Sequence, residues 1–93
     1  MSDDPRSGVT TGQMLTAPYA AVFVWCNSRI AYAKLLAHDL GRDDLTIRPL
    51  SWLSMHNVLA VRGSANSTVV VDHAAVPDRE GIEAMNYLRS QVR

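Results

Sequence analysis

The chain carries one cysteine, no surplus of either charge and no long apolar run. With Cys26 alone, an internal disulfide framework and a cysteine-based zinc cluster are both excluded. Nine basic side chains balance nine acidic ones, which argues against broad electrostatic capture of nucleic acid while leaving room for a local patch. The longest apolar stretch, Ala17 to Cys26, has ten residues and contains Pro18, about half of a membrane span. Met1 to Gly8 is polar, acidic and turn-rich, without the basic start and apolar stretch of a secretory signal, so the expected address is cytoplasmic. No repeat or low-complexity block interrupts the chain. What remains is a globular composition, 47% hydrophobic against 19% charged, in 93 residues. That length supports one core and leaves no room for a separate substrate domain.

Three segments have the β-branched and aromatic density of buried strands: Tyr19 to Trp25, Leu45 to Pro49 and Thr68 to Asp72. The second is the weakest, and its proline and Arg48 suit an edge position. Between the first two, Ile30, Ala33, Ala37 and Leu40 recur at helical spacing. Asn27 or Ser28 is placed to cap that helix and Gly41 to end it. A second helix is predicted over 78–93, with Asp78, Glu80 and Glu83 at its start and Arg89 and Arg93 at its end, matching the helix dipole. Its buried stripe would be Ile82, Met85, Leu88 and Val92. A shorter helix, capped by Ser51, is expected over 51–61. Strands alternating with helices imply an α/β domain, a small three-layer arrangement with a three-stranded parallel sheet in the order 2-1-3 flanked by helices. The expected organisation is a flexible arm over 1–12 and a single domain over 13–93.

In such sheets ligands bind beyond the carboxyl ends of the strands, where the strand order reverses. That edge would collect Cys26, Asn27 and Ser28 after the first strand and Asp72 and His73 after the third. Arg29 and the amino end of the first helix could hold an anion there. Asp72 and His73 could form an acid–base pair or a metal site, but a hydrolase needs a third polar group that the sequence does not place; the plainer reading is a turn-capping Asp72 and a solvent-facing His73. Cys26 reads as a small hydrophobe at a strand end. Its spacing to Arg29 is too short for a phosphatase loop. His38 and His56 read as surface residues. Tyr19, Phe23, Trp25 and Trp52 read as core or rim packing, although an exposed Trp52 would mark a contact surface.

Several segments together resemble the P-loop ATPase core of helicases and phage terminases. Val24-Trp-Cys-Asn-Ser-Arg-Ile30 followed by Ala31-Tyr-Ala-Lys-Leu-Leu36 is similar to the strand and helix after the P-loop unit, and Thr68 to Ala74 is similar to the Walker B strand. Gly8-Val9-Thr10-Thr11 resembles the end of a Walker A loop, with Val9 in place of the lysine. The resemblance implies that Asp72 stands at the magnesium-associated position and that His73 replaces the glutamate that positions water. Asp3 stands where the first glycine of the loop belongs, and only two residues precede it, so no strand leads into the loop. Phosphoryl transfer depends on positioning and electrostatics, and loss of clamp, metal geometry and water positioning together would abolish it.

The leading expectation is therefore a non-enzymatic interaction or accessory factor, phage-encoded, with a host or replication protein as partner. It has no catalytic residue, metal or cofactor. The alternative is a residual nucleotide- or phosphate-binding module lined by Thr10, Thr11, Asn27, Ser28, Arg29 and Asp72. Nucleic acid is not an expected partner, because Arg29, Arg42, Arg48 and Arg62 form no stripe and Asp43 and Asp44 interrupt them, and a membrane is not expected because the longest apolar run is too short to span one. Three parallel strands leave two exposed edges, which a second copy could cover as a homodimer.

Overall fold

The computed structural model describes residues 9–64 and 68–90. Its elements run α1 (Val9–Thr16), β1 (Val22–Val24), α2 (Ile30–Asp39), β2 (Thr46–Arg48), a 3₁₀ turn (Leu50–Trp52), α3 (Met55–Ser64), β3 (Val69–Val71) and α4 (Arg79–Ser90). The sheet is parallel with β1 in the centre, in the order β2-β1-β3, so the chain is a small α/β domain. Phe23 of β1 sits level with Ile47 of β2 and Val70 of β3.

Alternation along β1 divides the interior in two. Phe23 and Trp25 point to one face, where Met14 of α1, Ala17 just beyond it, Ala33 and Ala37 of α2, and Ile47 enclose them. Val22 and Val24 point to the other, against Leu53, Val58 of α3, Val69 and Ala84 of α4. Phe23 and Met14 are fully buried, each contributing about 1.5–3 kcal/mol relative to an exposed side chain. Alanines 33 and 37 keep α2 close to the sheet. β2 is covered on one face only, since Thr46 and Arg48 are exposed beside buried Ile47, as suits an edge strand.

Several expectations are corrected. The arm foreseen over 1–12 does not extend into Val9–Gly12, which begin α1, with Thr10 wholly buried; residues 1–8 lie outside the described residues. Tyr19 is 86% exposed rather than packed. Pro18 follows the end of α1 and Ala20 takes a left-handed φ of 63°, so the chain turns with Tyr19 outward before β1 starts. Neither Asn27 nor Ser28 caps α2, because the helix starts later, after Arg29, and among the described residues no side chain caps its first turn. Gly41 does take the left-handed conformation, φ 74°, just beyond the end of α2.

The cap of α3 is Ser54 rather than Ser51: its Oγ accepts the Asn57 N–H at 3.3 Å, after Pro49 and Leu50 have formed the 3₁₀ turn. On α4 the innermost positions are Gly81 and Ala84, with Met85 and Leu88 half-buried and Ile82 exposed. Gly81 permits the close approach of Pro77; a Cβ there would lie 2.5 Å from the Pro77 Cβ. Val92 lies outside the described residues.

Candidate functional site

Strand alternation decides what happens at the carboxyl edge. Val70 faces the side covered by α1 and α2, and Asp72, two residues on, faces the same side. It meets the first turn of α1. Thr10 Oγ1 donates to Asp72 Oδ1 at 2.7 Å, and neither side chain reaches solvent. His73 Nδ1 lies 3.4 Å from Thr10 Oγ1 and 3.6 Å from Asp72 Oδ1, with its ring at the rim. Asp72 Oδ2 is buried and has no hydrogen-bond partner among the described residues. A buried carboxyl oxygen without a donor is uncommon in folded proteins and makes this contact sensitive to change.

Gln13, one turn beyond Thr10 on the same face of α1, completes the junction. Its Nε2 donates to the Val71 carbonyl at 2.9 Å and its Oε1 accepts the His73 N–H at 2.9 Å. The carboxamide thus pairs with β3 as a neighbouring peptide group would. Sequence reasoning did not single out Gln13, although a carboxamide three residues after Thr10 is the signal that could have marked it. Arg42 was likewise missed as a structural residue. Its guanidinium bonds the carbonyls of Met14, Leu15 and Pro18 at the end of α1 and pairs with Asp44 at 2.9 Å. The Asp44 carboxyl also accepts the Ala20 N–H at 2.7 Å, and the Arg42 hydrogen bond followed by that one holds it well below the usual carboxylate range.

The remaining candidate residues form a second group. Asn27 Oδ1 accepts the Arg29 N–H at 2.8 Å, its Nδ2 reaches Cys26 Sγ at 3.6 Å, and its carbonyl accepts the Leu50 N–H. Cys26 is half-buried against the α1/α2 core. Ser28 and Arg29 are exposed, and Thr11 is half-buried. Among the described residues no hydrogen bond joins the 27–29 loop to Thr10 or Asp72. Of the six candidates, Thr10 and Asp72 form a sealed pair, Asn27, Ser28 and Arg29 an open loop before α2, and Thr11 lies on α1 in neither group.

A nucleotide with magnesium, which the P-loop resemblance implies, does not fit the sealed pair. The lysine position is Val9, and the Asp72 side chain has no accessible surface. Among the described residues, no group of three or more histidine, cysteine or carboxyl side chains converges to hold a metal ion, and no helix is long and apolar enough to cross a membrane. His38 and His56 are exposed, and Trp52 is half-buried against the α3/α4 core rather than presented to a partner. The exposed apolar side chains are elsewhere, including Tyr32 and Leu35 on α2. In comparison with known proteins the chain matches no family model, no curated protein and no solved structure.

Proposed function

We propose that the chain is a non-enzymatic interaction module whose α/β framework presents surfaces to a protein partner. The observation that carries this reading is the complete burial of the Asp72 carboxyl group beneath α1, bonded to Thr10. That residue stands where the resemblance calls for a magnesium-associated aspartate, and a carboxyl group sealed from solvent is not presented to a metal there. The carboxyl-edge chemistry thus serves to fasten α1 to β3. Tyr32 and Leu35, one turn apart and 55% and 63% exposed, add apolar surface of the kind that partners cover.

The second reading, a residual nucleotide or phosphate module, is favoured by one observation. The first turn of α2 has no side-chain cap among the described residues and lies beside exposed Arg29, so its dipole and the N–H groups after Ile30, whose own N–H bonds the Ser28 carbonyl, favour an anion. Thermal denaturation with ADP, ATP or phosphate, with and without magnesium, separates the two. The interaction reading expects no change in melting temperature at millimolar ligand, and a specific partner in cross-linking from a host lysate that Tyr32→Ala/Leu35→Ala weakens. A ligand-dependent rise abolished by Arg29→Ala supports the second reading; one abolished by Asp72→Ala overturns the sealed-pair reasoning.

A further inference from the structure

A groove of about 420 Å³ opens beside β3. Its floor is Val69 and Val71 of β3 with Met85 and Leu88 of α4, and its rims carry Arg62 of α3 and Arg89 of α4. Backbone polarity along β3 follows from the ladder. The Val22 N–H bonds the Thr68 carbonyl and the Asp72 N–H bonds the Val24 carbonyl, so even-numbered residues of β3 face β1. The N–H and C=O groups of Val69 and Val71 therefore point outward. Gln13 takes the Val71 carbonyl. Among the described residues nothing bonds the Val69 N–H, the Val69 carbonyl or the Val71 N–H, and neither Arg62 nor Arg89 has a carboxyl partner.

We propose that this groove binds an extended peptide segment carrying acidic side chains, which adds to the sheet as a strand beside β3. The inference rests on the interaction reading and names the partner's chemistry. An extended segment supplies the donors and acceptors that the open edge lacks, and alternate side chains enter the apolar floor. Its acidic residues meet the two unpaired guanidiniums, whose planar fork suits carboxylates. The same charges disfavour a second copy, because pairing β3 with β3 would bring like arginines together. A lipid headgroup would meet the arginines but leave the backbone groups of Val69 and Val71 unsatisfied.

The test is fluorescence anisotropy with a short dye-labelled peptide alternating valine and glutamate, against the same peptide with lysine for glutamate. The glutamate peptide is expected to bind saturably and more weakly at high salt, to lose at least about tenfold in affinity with Arg62→Glu/Arg89→Glu, and to leave the lysine peptide without measurable binding. Amide hydrogen exchange on the unsubstituted protein provides an independent readout. Bound peptide slows exchange at Val69 and Val71 and leaves Val70, already paired with β1, unchanged. Equal binding of both peptides, full affinity in the double variant, or unaltered exchange at Val69 and Val71 overturns the proposal. So does a dimer in light scattering whose contact covers β3, or binding to phosphatidylserine vesicles that the glutamate peptide does not displace. A cross-linked partner retained by Arg62→Glu/Arg89→Glu overturns the groove and leaves the interaction reading standing, whereas absence of any partner for the unsubstituted protein overturns the reading itself.

Discussion

Replacing Thr10 with valine removes one hydroxyl and almost no volume, and its expected cost follows from the surroundings of Asp72. The Thr10 Oγ1 hydrogen bond, 2.7 Å long, is the single close one that the Asp72 side chain receives among the described residues. Loss of a hydrogen bond to a charged group costs about 1.5–3 kcal/mol, and breaking a buried charged contact by removing one partner reaches about 3–5 kcal/mol. The Asp72 side chain has no exposed surface through which water could replace the hydroxyl, although His73 Nδ1 at 3.6 Å offers partial relief. The expected loss is therefore about 2–3 kcal/mol, a large share of the total stability of a domain this small. Urea denaturation followed by circular dichroism measures it; with a slope near ~1 kcal/mol per molar, the midpoint falls by about 2–3 M. Removing both partners leaves no orphaned group, so Thr10→Val/Asp72→Leu is expected to cost less than the sum of the single variants by about 1.5 kcal/mol or more. A Thr10→Val protein within about 0.5 kcal/mol of the parent, or strict additivity in the cycle, refutes the reasoning.

Other substitutions probe the packing and the turn. Gly81→Ala places a methyl group 2.5 Å from the Pro77 ring carbon, which cannot rotate away, so chemical denaturation is expected to show a loss of about 1–3 kcal/mol. Ala20→Gly relieves a left-handed alanine and is expected to stabilise by up to about 1 kcal/mol in the same assay, with destabilisation counting against strain at that turn. The His38 imidazole, hydrogen-bonded to Asp43 at 2.8 Å, is held above its ordinary value of 6.5 by that bond and by the charge of Asp43. Because the folded value is raised, its contribution to stability is complete below pH 6.5 and is lost as pH rises through the folded value. An NMR titration of His38 is expected to return toward the ordinary value in Asp43→Asn, and an unchanged titration would reject the pairing. Asp44 has the opposite sign: Arg42 and the Ala20 N–H lower it, so its contribution is present at neutral pH and lost on strong acidification, which Asp44→Asn is expected to remove from the acid-unfolding curve.

Much of the architecture was legible in the chain itself because local patterns carry it. Dense β-branched runs separated by helical periodicity imply parallel strands with crossovers, and the sheet has the order expected from them. Gly41 marked a left-handed position by its residue type. The boundaries of α2 and α3 were less legible, since Asn27, Ser28, Ser51 and Ser54 are all competent caps and their choice depends on where the preceding turn places the chain. Ile82 shows the same limit: its spacing fits a buried stripe, but the packing of α4 puts Gly81 and Ala84 innermost and leaves Ile82 exposed.

The carboxyl-edge residues divide along the same line. Sequence alone established that Asp72 ends a strand at the edge where a parallel sheet gathers polar groups, and that no lysine accompanies Thr10. It could not establish that α1 lies across that edge, because Thr10 and Asp72 are 62 residues apart and nothing local to either encodes their meeting. Only the tertiary packing of Met14 and Ala17 onto Phe23 and Trp25 sets α1 against the sheet, which brings Thr10 and Gln13 to the end of β3 and turns a candidate ligand site into a buried clasp. The same packing leaves the Val69 N–H and carbonyl and the Val71 N–H without partners among the described residues. Strand pairing is a long-range choice, and which backbone groups remain without partners is decided when the whole sheet assembles.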